Sequence, residues 1–115
     1  MAFEVFRGRI VDRFTPVEPG TASLSVNGHA RFARDDLASV DITESVTILV
    51  DRERRQIGLR KPGKGESPRA VGDTRVICIG SAMQALSLSP RTRAGLYEIK
   101  RDGNALILDF SEAAP

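Results

Sequence analysis

One pattern of polar and apolar residues occurs twice in this chain, and it limits the possible folds more than any single motif does. Residues 30–42 are followed by a charged hairpin whose return carries Ile57 and Leu59. Residues 76–88 are followed by a second hairpin whose return carries Leu106 and Leu108. A shift of 46 positions lays Phe32 on Cys78, Leu37 on Met83, Val40 on Leu86 and Ile42 on Leu88. Three further residues then enter the second copy, and a shift of 49 lays Ile48 on Tyr97, Val50 on Ile99, Ile57 on Leu106 and Leu59 on Leu108. A unit of about 40 residues is too small to bury a core alone, so the two copies have to pack against each other.

The 115 residues are read as one domain with a first repeat at 22–60, a linker at 61–69 and a second repeat at 70–110, preceded by an N-terminal strand and loop at 1–20. Phe3 to Val11 mixes aromatic, β-branched and charged residues and reads as an edge strand. Pro16, Pro19 and Gly20 mark a loop. Ala22 to Val26 alternates as a strand, Asn27-Gly28 supplies a tight turn, and Ala30 to Phe32 returns. A short helix follows, with Asp35 or Asp36 as its expected N-cap and Leu37 and Val40 on its buried face. Val46 to Val50 and Ile57 to Leu59 form a hairpin around a charged tip.

The second copy repeats the order. Arg75 to Ile79 is read as a strand, then a helix capped by Ser81 buries Met83 and Leu86. Residues 89–93 form a longer connection, and the strands Gly95 to Ile99 and Ala105 to Phe110 join through Arg101-Asp102-Gly103-Asn104, with Asp102-Gly103 as the hairpin signal. The tail from Ser111 to Pro115 is expected to fray. The predicted fold class is therefore mainly β with short helices: two β-β-α-β-β repeats closing a small pseudo-twofold β-barrel.

Charge is unevenly spread although the net value is only +2. Five acidic and no basic residues lie from Asp35 to Asp51, whereas seven basic residues lie from Arg52 to Arg69 against Glu53 and Glu66. Fourteen of the 17 basic residues are arginine, whose planar fork of donors suits phosphate and carboxylate. Residues 1–7 show no signal-peptide h-region, no apolar run reaches membrane-spanning length, and one cysteine cannot form an internal disulfide. These features predict a soluble cytoplasmic domain without a membrane role, with Cys78 as a buried structural thiol.

The run Leu24 to Ile42, then Ser45-Val46-Thr47-Ile48 and Ile57-Gly58-Leu59-Arg60, resembles the AbrB family of swapped-hairpin domains, also called SpoVT-AbrB domains. The resemblance covers about 40 residues of the first copy, and the second only in outline. His29 stands where the family usually has arginine after the turn glycine, Ala33 where it has proline, and Leu37 or Ala38 where it has a helical arginine. The resemblance implies an interleaved barrel related to the double-psi type, here folded from one chain. That chain would be a monomeric pseudo-dimer or a homodimer. It also implies DNA binding, as in transition-state regulators and antitoxins.

No catalytic constellation is present. His29 is the single histidine and is read as an exposed turn residue. One His and one Cys fall short of a zinc cluster, and Lys61-Pro62-Gly63-Lys64-Gly65 lacks phosphate-loop spacing. The reading is of a protein that is not an enzyme and has no cofactor or metal. Its DNA phosphates would be held by Arg31 and Arg34 beside the first helix, by Arg52, Arg54 and Arg55 at the hairpin tip, and by Arg60, Lys61, Lys64 and Arg69 along the linker. The alternative is a protein-interaction module with no nucleic-acid role, docking a partner through the acidic stretch and the apolar Phe3, Phe6 and Phe14.

Overall fold

The computed structural model describes residues 17–66, 68–72 and 75–111. The expected strand at Phe3 to Val11, the patch of Phe3, Phe6 and Phe14, and the tail beyond Ser111 lie outside these residues. In the first copy, β1 (Thr21–Leu24) and β2 (His29–Phe32) precede α1 (Arg34–Ser39), β3 (Ser45–Asp51) and β4 (Gln56–Arg60). The second copy contains β5 (Arg69–Ala70), β6 (Val76–Cys78), α2 (Gly80–Ala85), α3 (Pro90–Arg93), β7 (Gly95–Glu98), β8 (Lys100–Asp102) and β9 (Ala105–Asp109).

The strands form two antiparallel sheets, ordered β6-β2-β1-β7 and β5-β3-β4-β9-β8. In each sheet, equivalent strands of the two copies pair with one another. Gly58 faces Ile107 in the β4–β9 ladder, and the 49-residue shift carries the first onto the second. Ala30 faces Ile77 and Arg31 faces Val76 in the β2–β6 ladder, where the 46-residue shift carries 30 and 31 onto 76 and 77. A pseudo-twofold axis therefore passes through both ladders. Inward positions of the central strands alternate as expected, and one core cluster draws Phe32, Leu37, Val46 and Ile57 from the first copy and Ile77, Met83, Leu106 and Phe110 from the second.

The expected barrel does not close among the described residues. Among the described residues β5 pairs with β3 over two residues only, Ser45 opposite Ala70 and Val46 opposite Arg69. The strand read as Gly95 to Ile99 is also interrupted: Ile99 donates its N–H to Gly20 at 2.8 Å, and the chain resumes as β8. The second hairpin consequently turns at Gly103-Asn104, between the paired Asp102 and Ala105, with φ +61 at Gly103. The expected linker ends in β5, and residues 90–93 of the long connection wind into α3.

Both helix starts differ from the sequence reading. α1 begins two or three residues earlier, with Ala33 at the N-cap and no side-chain cap, and the Asp36 carboxylate instead accepts the Gly20 N–H at 2.9 Å. α2 begins at Gly80 with Ile79 at the N-cap, so Ser81 is already helical. Gly28 explains the choice of glycine at that junction. It has φ +82, and a Cβ there would lie 2.9 Å from the Gly80 Cα, so the Asn27-Gly28 turn of one copy sits directly on the start of the other copy's helix.

The helix ends, by contrast, are alike. Ile42 N–H reaches the Leu37 carbonyl at 2.9 Å and Leu88 N–H reaches Met83 at 2.9 Å, and each bond spans a left-handed residue, Asp41 (φ 57) or Ser87 (φ 59). These are Schellman closures that place Ile42 and Leu88 against the helix they end. Because neither left-handed residue is glycine, Asp41→Gly and Ser87→Gly should each raise stability by about 0.5–1 kcal/mol, read as a higher urea midpoint at unchanged slope.

Candidate nucleic-acid interface

Alternation in β2 turns Ala30 and Phe32 into the core and leaves His29 and Arg31 on the outer face, where Arg31 sits opposite Val76. Arg34 follows at the first turn of α1 and is exposed. Arg75 reaches the same neighbourhood because its carbonyl accepts the Phe32 N–H at 3.1 Å and its own backbone is left-handed, at φ 60. Arg34 and Arg75 share a cleft of about 260 Å³ with Pro19, Ala33 and Asp35. The Arg75 Nε is buried and has no hydrogen-bond partner among the described residues. Such a donor favours an anionic acceptor, while Asp35 sets a negative charge at the same rim.

The remaining nominated residues divide into two kinds. Arg52 and Arg60 are committed within the protein. Arg52 donates from Nη1 to the Ala85 carbonyl at 2.7 Å, at the C-terminal end of α2. Arg60 grips Glu66, Nη1 to Oε1 at 3.0 Å and Nη2 to Oε2. Arg54, Arg55, Lys61, Lys64 and Arg69 are exposed, although Arg54 lies 3.9 Å from the Asp51 carboxylate and Arg69 belongs to β5 rather than to a linker. The nine residues are therefore not one cluster. Arg34 shares its cleft with Arg75, Arg31 lies on the outer face of β2, and the others occupy the β3–β4 tip, the end of β4, the loop after it, and β5.

Two arginines outside the sequence reading matter here, and the repeat register would have found both. Arg101 falls on Arg52 under the 49-residue shift and donates to the Ser39 carbonyl at 3.2 Å, which is the end of α1. Each hairpin tip thus caps the short helix of the other copy, a favourable place for a cation. Arg75 falls on His29 under the 46-residue shift. His29 is exposed as expected, whereas Cys78 is half-buried beside a cleft rather than enclosed.

Electrostatics are concentrated at two carboxylates. Hydrogen bonds from Arg60, from the Gly63 N–H and from Thr47 hold Glu66 down from its ordinary 4.5 to about 2. Asp109 is also held well below the usual carboxylate range, chiefly by Ser111, with Lys100 and Gln56 adding. Burial pushes the Tyr97 hydroxyl up, and it donates to the Arg93 carbonyl. Among the described residues, no three His, Cys, Asp or Glu side chains are grouped to hold a metal, and no helix is long and apolar enough to cross a membrane. Compared with family models, curated proteins and solved structures, the chain gives no match.

Glu66 ionises more readily folded than unfolded, so its contribution to stability is complete above pH 4.5 and is lost as pH falls toward 2. Glu66→Gln should lower the urea midpoint at pH 6 and lose less of it than the parent between pH 4.5 and 3. Arg52→Ala and Arg101→Ala should each cost about 1 kcal/mol, and nearly the same amount as each other, because they remove equivalent caps. Thermal melts of both variants check this.

Proposed function

We propose that this chain is a non-enzymatic DNA-binding protein of the AbrB-like, swapped-hairpin type, with two β-β-α-β-β units of one chain replacing the two subunits of a dimer. The pairing of β2 with β6 and of β4 with β9 supports the second half of that reading, since equivalent strands cross at a pseudo-twofold axis as subunits of an interleaved dimer would. The two sheets then correspond to a small double-psi-like barrel interrupted at β5 and at Ile99. A role as a transcriptional regulator or an antitoxin follows from the same resemblance.

The observation that carries the DNA reading is that Arg34 and Arg75 line one cleft, beside Arg31 on the outer face of β2, and that the buried Arg75 Nε has no acceptor among the described residues. These three would hold phosphates, with Arg54, Arg55, Lys61, Lys64 and Arg69 adding long-range attraction. Arg52 and Arg60 are assigned structural roles, so DNA contacts would come from both copies rather than from the first alone.

A labelled 25-base-pair duplex should be retarded by micromolar protein in 50 mM salt and released as salt rises. Arg34→Ala combined with Arg75→Ala should weaken binding across unrelated sequences and reduce the salt slope by about 2. A band absent at low salt, or one indifferent to salt, would remove the DNA reading.

A further inference from the structure

We propose a second, independent surface: the cleft between β3, β6 and α2 is a docking slot for one extended peptide segment of a protein partner. The segment would add as a strand to the open edge of β3. From Thr47 to Asp51, β3 is paired with β4 on one side, while on the other side, among the described residues, β5 pairs only with Ser45 and Val46. Hydrogen-bond alternation fixes which backbone groups are left. Phe110 N–H bonds the Arg55 carbonyl, so along β4 it is Gln56, Gly58 and Arg60 that face β3, and Thr47, Leu49 and Asp51 that face back. The N–H and C=O groups of Ile48 and Val50 therefore point to the open side. The bond from Val71 N–H to Glu44 O on that same side gives the same phase.

The space beside this edge has the chemistry of a strand site. A cleft of about 290 Å³ has Ile48 and Val50 on one wall, Cys78, Ser81 and Ala82 on the other, and Arg69 beside them. Val50, one pair from the hairpin tip, is 39% exposed. Unpaired strand edges with apolar side chains recruit extended peptides, because backbone bonds give affinity and alternate side chains give selectivity.

The protein itself supplies the template. The equivalent edge, on β7, is paired along all four residues with β1, from Thr21 opposite Glu98 to Leu24 opposite Gly95. The 46-residue shift carries β1 onto 67–70, where Arg69 and Ala70 are the strand residues among those described. β1 buries Ala22 and Leu24 and turns Thr21 and Ser23 outward. A segment filling the β3 slot would likewise carry small or branched apolar residues at alternate positions, with a carboxylate near Arg69, which takes the place of Ser23. The counterpart slot along β7 is filled by one strand, β1, so the occupant of the β3 slot is a single extended segment.

The probe is a fluorescein-labelled peptide carrying residues 20–25 followed by glutamate. It should bind saturably by anisotropy, slow maleimide labelling of Cys78, and protect the Ile48 and Val50 amides from hydrogen exchange. Val50→Pro, which removes a donor facing the cleft and none facing β4, should weaken binding at least tenfold. Arg69→Glu should weaken it about two- to fivefold, and lysine in place of the peptide's glutamate should restore it. The Arg69 exchange stands even if the proline variant fails to fold. No binding at millimolar peptide, or Ile48 and Val50 amides already protected in the free protein, would overturn the proposal. A concentration-dependent dimer in sedimentation that Val50→Pro abolishes would overturn it in favour of a second copy.

Discussion

The pairing of β4 with β9 is the constraint on which the rest of the molecule depends. It joins the returns of the two hairpins and sets Ile57 and Leu59 against Leu108 and Leu106. All four side chains are at most 1% exposed, and burying each contributes about 1.5–3 kcal/mol. At the axis itself Gly58 faces Ile107, and a Cβ on Gly58 would lie 3.3 Å from the Ile107 Cδ1. Two large side chains could not both occupy that crossing. The copies have become unequal where symmetry would bring like residues together.

Once that ladder is fixed, the hairpin tips are carried toward the other copy's helices. Arg52 and Arg101 then meet carbonyls at the ends of α2 and α1. These caps matter because both helices are six residues long, start without a side-chain cap, and close through a left-handed residue that is not glycine. A short helix of that kind has little stability of its own and forms through tertiary contacts. Arginine abundance alone is therefore a poor index of nucleic-acid binding here, since part of it serves the interior geometry of a duplicated fold.

Asymmetry between the copies is also where surfaces become available. β1 pairs along all four residues with β7 and along three with β2, whereas among the described residues its counterpart β5 pairs with only two residues of β3, beside a cleft. Arg31 lies at the other crossing, β2 with β6, and Arg34 and Arg75 line a cleft at its end. A duplicated fold can keep one copy of a feature for packing and release the other for binding, because the core needs only one continuous set of buried side chains.

The sequence by itself determined the repeat, the strand and helix order, and most of the core. Phe32, Leu37, Met83, Tyr97 and Phe110 are all buried as their spacing requires, because period and hydrophobicity are local properties of the chain. It also located Asn27-Gly28 as a turn, although not the contact with Gly80 that makes glycine necessary there. Side-chain roles were legible only in part. Arg34 reads as exposed from its neighbours, but nothing local distinguishes Arg52, which bonds a distant helix end, from Arg54, which pairs with the nearby Asp51. The N-caps, the break at Ile99, the open edge of β3 and the position of Arg75 were decided by the tertiary structure alone. Each depends on which copy's backbone arrives at a given place, and pairing across a pseudo-twofold axis is a long-range property that no short stretch of sequence contains.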